Sequence, residues 1–426
     1  MTAAKPPQAR LPSAAAAGLK AATPAPETAE LGVYVHFPWC LKKCPYCDFL
    51  SVASPAADLR HERYADAVLT ELERRARELG PRRLKSVFFG GGTPSLWDPE
   101  QVRRVLAGIL GAFGNPETNA ETRPEVTLEC NPTSFNGARA QGFIAAGVNR
   151  FSIGVQGLEA GRLQFLGRLH DPESALCSVR EALASGVERV SADLIFGVAG
   201  QAPEVAAAEA ATLAELGPTH LSAYALTIEP GTQFGALAKK GKLPLLDEGR
   251  VAESFVAVEE TLAAQGFEHY EISNYARGGA YAVHNLGYWR GTEYLGLGCG
   301  AWGTVDFGAE RVRYRNTPSP ERYLESAKDW PHAALLDAGA GELISVVEPL
   351  DRETLLRERL LLGLRLAQGI DIDEQAAELG VEAWPADRKR AAQRLLERGR
   401  IVRHGSRWII PKDQWLFADG TISDLL

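Results

Sequence analysis

Six short apolar runs alternate with helical patterns over residues 31–226, and this alternation limits the chain to very few folds. The runs are Leu31–Phe37, Ser86–Phe89, Val126–Cys130, Arg150–Val155, Arg189–Phe196 and His220–Leu226. They are β-branched or aromatic and bounded by Gly, Pro or Asn, which predicts strands. Between them Ala65–Leu79, Pro99–Phe113, Gly137–Ala146, Pro172–Ala184 and Pro203–Leu216 space Ala, Leu and Val as amphipathic helices do. Strands that alternate with helices pair in parallel, so the class is α/β. An incomplete (β/α)6 barrel is the natural closure. Chemistry in such barrels gathers at the C-terminal ends of the strands. A cysteine loop, a glycine run, Glu129, Gln156 and Asp193 all fall there.

The cysteine loop reads Cys40-Leu-Lys-Lys-Cys44-Pro-Tyr-Cys47, a C-x3-C-x2-C spacing. An odd triplet cannot pair off as disulfides, and no secretion signal precedes it. A closed zinc site would take Cys40, Cys44, Cys47 and His36. The alternative is a [4Fe–4S] cube, usually held by four thiolates. Three thiolates leave one iron open to a small chelating ligand. The remaining cysteines, Cys130, Cys177 and Cys299, are scattered and read as small apolar residues.

At 426 residues the chain suggests two or three units. A net charge of −8 argues against broad nucleic-acid binding, which needs a basic surface. No apolar run reaches the roughly 18 residues of a membrane span. The Ala- and Pro-rich stretch 1–29 reads as a disordered tail, with an organelle transit peptide as the sharper alternative. Residues 30–245 read as the barrel. Residues 246–345, rich in Gly and aromatics, read as a less regular extension packed on it. Residues 346–426 read as a small winged-helix-like α+β domain: helices Arg352–Leu366 and Ala386–Glu397, then a hairpin through Ile401–Val402 and Trp408–Ile410. A basic helix carrying Arg388, Lys389, Arg390, Arg394 and Arg398 would suit a DNA-binding regulator, but a charge run on a helix is usually a solvated face.

Gly90-Gly-Gly-Thr-Pro-Ser95 follows the second apolar run. Consecutive glycines admit close backbone approach and could present bare N–H groups. This run, the cysteine spacing with Tyr46, Tyr34-Val-His-Phe-Pro-Trp-Cys40 and Gly147-Val-Asn-Arg-Phe-Ser-Ile-Gly-Val-Gln156 resemble one branch of the radical S-adenosylmethionine (SAM) superfamily. So do Leu166-Gly-Arg-Leu-His170, Leu226-Thr-Ile-Glu-Pro-Gly-Thr232 and Tyr270-Glu-Ile-Ser-Asn-Tyr275. The branch contains the oxygen-independent coproporphyrinogen III oxidases (HemN) and the HemW heme chaperones.

The resemblance implies a partial (β/α)6 TIM-like barrel in which Cys40, Cys44 and Cys47 ligate three irons and SAM takes the fourth. It implies that Tyr34, Tyr46, Gly92, Thr93, Glu129, Gln156, Arg168, Asp193 and Ala225 line the SAM site. A carboxylate suits ribose hydroxyls, and Arg168 suits the methionyl carboxylate. The oxidases carry a further cysteine two residues after the third. Here that position is Phe49, which weakens the oxidase reading. His284-Asn-Leu-Gly-Tyr-Trp289 resembles the HNxxYW motif of the chaperones, with His284 as a candidate heme ligand and Tyr288 and Trp289 as porphyrin packing. The chain departs from the branch at Ser191, at Val198-Ala199-Gly200 and at Trp302-Gly303, where a His-Ser pair is usual. His36 is expected to tune or orient the cluster, and His170 is left open. The implied partners are heme or porphyrin and acceptor hemoproteins at the cytoplasmic face of a membrane, with a homodimer compatible. The expected location is cytoplasmic. An oxidase acting on coproporphyrinogen III in porphyrin biosynthesis is the rival.

Overall fold

A computed structural model describes residues 29–114, 123–307, 310–327 and 343–426. The proposed tail, apart from Ala29, lies outside the described residues.

One twelve-stranded sheet organises the chain. Its strands are β1 (Glu30–Phe37), β2 (Arg83–Gly91), β3 (Glu125–Cys130), β4 (Arg150–Gln156), β5 (Arg189–Phe196), β6 (His220–Ala225), β7 (Glu268–Glu271), β8 (Asn274–Ala276), β9 (Glu293–Leu297), β10 (Trp302–Phe307), β11 (Glu310–Asn316) and β12 (Ile344–Leu350). The order across the sheet is β12-β11-β10-β9-β1-β2-β3-β4-β5-β6-β8-β7. The central seven, β9 through β6, run parallel, and β10–β12 and β8–β7 add antiparallel margins. The outermost strands do not pair with each other, so the barrel is open. The six expected strands and their crossover helices are all present.

The helices begin where the sequence punctuates them. Pro99, Pro172 and Pro203 occupy the first turns of Pro99–Phe113, Pro172–Ala184 and Pro203–Glu215, where a missing N–H costs nothing. Asp98, Asn136 and Asp171 cap helix starts by accepting backbone N–H groups from Glu100, Arg139 and Ser174.

The strands after β2 alternate with period 2. On β4, Phe151, Ile153 and Val155 are fully buried in the core. Arg150 and Ser152 take the other face, toward the barrel interior. Likewise Asp193 on β5, and Ser222 and Tyr224 on β6, face inward. The outer faces pack under the helices in one large core, while the inner face is polar and encloses space.

The stretch 246–345, expected to be less regular, is largely ordered where described. Helix Glu248–Ala264 lies against the helix Pro203–Glu215, and β9–β11 extend the sheet past β1. A second core, including Leu356, Leu360, Leu395, Ile401 and Trp415, forms the C-terminal unit of helices and the hairpin Val402–His404/Arg407–Ile409. This unit covers the β7 edge: Ala367 N–H donates to the Tyr270 carbonyl at 3.0 Å, and Leu366 bridges to Glu271.

Candidate cofactor-binding site

The cysteine loop leaves the top of β1. A two-residue ladder, Trp39–Cys40 with Val52–Ala53, closes its neck. Buried His36 (β1) braces it: one ring nitrogen lies 2.8 Å from the Leu50 carbonyl and the other 3.0 Å from the Tyr34 hydroxyl. Burial lowers His36 to a pKa of about 4, so the ring is neutral. A carbonyl only accepts, so Nε2–H donates to Leu50 and Nδ1 accepts from Tyr34 O–H. With both nitrogens engaged, His36 orients the loop and is not disposed as a fourth zinc ligand. Among the described residues no three His, Cys, Asp or Glu side chains form a group that could hold a single ion.

Cys40, Cys44 and Cys47 are all free thiols. Thr93 donates its hydroxyl to Cys40 Sγ at 3.3 Å, and Arg168 Nη1 reaches Cys44 Sγ at 3.8 Å. Burial raises the thiols of Cys40 and Cys47, the latter to about 11. A thiolate there needs compensation: a metal centre would supply positive charge, the Thr93 hydroxyl hydrogen-bonds Cys40, and the Arg168 guanidinium adds charge beside Cys44. Three free thiols on one loop, with donors aimed at two of the sulfurs, fit an iron–sulfur centre.

The glycine run is stitched to this loop. Gly92 N–H donates to Phe37 O at 2.7 Å and Thr93 N–H to Trp39 O at 2.9 Å. Gly91 N–H donates to Glu129 Oε2 at 3.1 Å. The expectation of bare N–H groups is therefore corrected, because all three are satisfied internally. Packing demands the glycines: a Cβ on Gly92 would lie 2.7 Å from Trp39 O, and one on Gly91 (φ +109°) would lie 2.4 Å from the His36 ring.

Arg168 reaches across to β4, donating to the Gly154 carbonyl at 2.9 Å. Its Nε is buried with no partner among the described residues. The register of β4 shifts between Gly154 and Gln156, and Gln156 takes φ +69°, the left-handed region that non-glycine residues rarely adopt. That bulge sets the Gln156 amide beside Arg168: a Cβ on Gly154 would lie 2.9 Å from the amide nitrogen and 3.5 Å from the Arg168 guanidinium. An unpartnered guanidinium nitrogen and a re-aimed amide fit a zwitterionic ligand such as SAM.

Below lies a cavity of about 480 Å³. Tyr34, Glu129, Asp193, His284 and Tyr288 all line it. Burial and the nearby Asp193 push the Glu129 carboxyl up to about 8. Burial also raises Asp193, while the Ser152 hydroxyl, 3.0 Å away, favours its anion. Arg150 and Ser152, which the sequence reading did not single out, complete the polar wall. Their signal was the alternation Arg150-Phe-Ser-Ile-Gly along β4.

The opposite wall is aromatic. His284 stacks on Phe88 with ring centroids 5.1 Å apart, and Tyr34 lies over both. The His284 nitrogens meet Ser86 Oγ at 2.8 Å and Tyr288 Oη at 3.0 Å. Burial lowers its pKa to about 3. As arranged, His284 is a wall residue, and binding iron would break one of these bonds. Trp289 does not join it and packs with Tyr270, Ala276 and Leu366. His284 and Tyr288 are four apart on one helical face, and Trp289 is turned away from them. Tyr46 packs in a satellite apolar cluster with Leu166, Ile195 and Phe234. Ala225 closes β6 against the main core. Buried His170 donates to the Val155 carbonyl, 3.0 Å away.

Residues 34–209 match the Radical SAM superfamily, and residues 350–417 match the HemN C-terminal domain. The heme chaperone HemW of Escherichia coli (strain K12) is 38% identical over 306 residues, covering 70% of this chain and 78% of that protein. HemW of Mycobacterium tuberculosis (strain ATCC 25618 / H37Rv) is 34% identical over 400 residues, 93% of this chain and 94% of the relative. The mitochondrial Radical S-adenosyl methionine domain-containing protein 1 of Danio rerio is 37% identical, covering 80% of this chain and 74% of its own length. Among solved structures, the coproporphyrinogen III oxidase HemN of Escherichia coli superposes with a TM-score of 0.75 at 20% identity, covering 94% of this chain and 90% of its own.

Proposed function

This chain belongs to the radical SAM superfamily and, within it, to the family of the HemW heme chaperones; on that premise we propose that it binds heme and hands it to acceptor hemoproteins. The observation that carries the reading is 34% identity with a HemW over an alignment that spans 93% of the chain. Phe49, standing where the oxidases carry a further thiol, supports it.

Cys40, Cys44 and Cys47 would hold a [4Fe–4S] cluster whose open iron takes SAM, a pair that supplies one-electron chemistry when bound. The protein contributes placement. His36 fixes the loop, Thr93 and Arg168 donate to the cysteine sulfurs, and the free Nε of Arg168 receives a carboxylate. Glu129 is largely protonated at neutral pH, so it donates as well as accepts toward ribose hydroxyls, and Asp193 accepts. Tyr34, Phe88, His284 and Tyr288 give the interior one aromatic wall opposite its polar one. Among the described residues no helix is long and apolar enough to cross a membrane. The reading places the protein in the cytoplasm. Respiratory hemoproteins at the membrane face are the acceptors, and pairing of two copies is compatible with it.

The test uses anaerobically reconstituted protein. Heme is titrated while the Soret band is followed, and coproporphyrinogen III is supplied in parallel with SAM and a reductant. Heme binding without decarboxylation is expected. Turnover to protoporphyrinogen without heme binding would establish the oxidase instead.

A further inference from the structure

At its mouth the cavity carries a patch that neither core packing nor hydrogen bonding explains. Phe49 is 62% exposed and Trp302 40% exposed, yet both line the cavity. Trp302 pairs across the sheet with Arg315, whose guanidinium carbon sits 5.4 Å from the indole centroid. Arg311, Arg313 and Arg315 alternate along one face of β11. Arg311 pairs with Asp306, and Arg313 with Glu348 and Glu358. Among the described residues Arg315 has no such anion, and its Nε is buried without a partner. Asp48, also at the mouth, forms no ion pair with it. The chain therefore presents two broad aromatic surfaces and one uncompensated cation beside an opening. The needs of SAM are answered elsewhere, by Arg168 and the loop above.

We propose that this rim is the docking site of the tetrapyrrole, its macrocycle against Trp302 and Phe49 and one propionate on Arg315. The inference rests on the heme-binding reading and gives it an address. Phe49 lies two residues beyond Cys47, so a ring docked there abuts the end of the cysteine loop. An exposed aromatic surface suits cargo that must leave again, since the ring is never fully enclosed.

Soret titrations test this with the full chain and with Trp302→Ala and Arg315→Gln, using heme and heme dimethyl ester, which lacks the carboxylates. Trp302→Ala should weaken heme about 3–10-fold, the scale of an aromatic stacking contact. Arg315→Gln should weaken heme roughly tenfold, as loss of a charge-assisted bond does. The ester should bind wild type about as weakly as Arg315→Gln binds heme, and should not distinguish the two proteins. If wild type binds heme and both variants match it, this site is wrong while the chaperone reading stands. If wild type binds no heme, both fall. Trp302 is exposed and Arg315 half-buried, and circular dichroism checks that the variants fold.

Discussion

The cysteine loop and the mouth of the cavity that it adjoins are built on opposite plans. At the cysteine end the polar groups are nearly all fixed: His36 by two partners, the glycine run by three donated N–H groups, and Gln156 by a bulge. At the mouth, Phe49 and Trp302 stand exposed and Arg315 lacks an anion among the described residues. A resident cofactor rewards a rigid cradle, because geometry set in advance is not lost on binding. A passing cargo is better served by a surface that gives contact without enclosure. On the reading proposed above, one fold would thus hold a fixed site and a transient one beside the same polar interior.

Four substitutions would break or sharpen that contrast. Cys44→Ala should carry the largest effect: iron in the reconstituted protein falls to background, while heme affinity stays within about twofold because the contacts proposed for the tetrapyrrole, Trp302, Phe49 and Arg315, include no cysteine. A matching collapse of heme binding would merge the two ends into one site. Arg168→Ala should weaken SAM by about 10–100-fold in calorimetry, the scale of a lost charge-assisted contact. His284→Ala leaves the Ser86 and Tyr288 hydroxyls buried and unpaired, which should cost roughly 2–4 kcal/mol in denaturant melts. A variant of unchanged stability with a displaced Soret band would instead restore His284 as the iron ligand. The smallest effect concerns pH. Glu129 is raised from 4.5 to about 8 in the fold, so its favourable protonation is fully present below 4.5 and lost as pH climbs through about 8. Partial exposure screens it, leaving roughly 1 kcal/mol. The thermal midpoint of wild type should drop between pH 5 and pH 8 more than that of Glu129→Gln, and parallel curves would remove Glu129 from the polar wall.

The barrel was legible because its signals are local. Proline at helix starts and β-branched runs located Pro99–Phe113, Pro172–Ala184 and Arg189–Phe196 to the residue. The helix Glu248–Ala264 was missed although Val251, Phe255, Val258 and Leu262 carry its period, because glycines and aromatics farther on dominated the reading. β9 was unreadable as a parallel strand, since its partner β1 lies more than 250 residues earlier. In the site, the cysteines were visible from spacing and Arg168 from the resemblance of its motif. The inward faces of β4 and β6 needed the period-2 rule applied to polar residues, not only to apolar ones. Trp289 misled because a motif records adjacency in sequence, whereas a helix turns adjacent side chains apart. No sequence rule shows that, among the described residues, Arg315 lacks an anion while Arg313 has two.

An open sheet has two margins, and each is a template on which another strand can grow. Here the β7 margin is occupied by the C-terminal unit through the Ala367–Tyr270 bond and the Leu366–Glu271 bridge. Whatever else that unit does, it acts as a stopper against self-templated ribbon growth. Proteolytic removal of residues beyond Leu350 should therefore yield material that polymerises edge to edge, even with every cofactor ligand still in place.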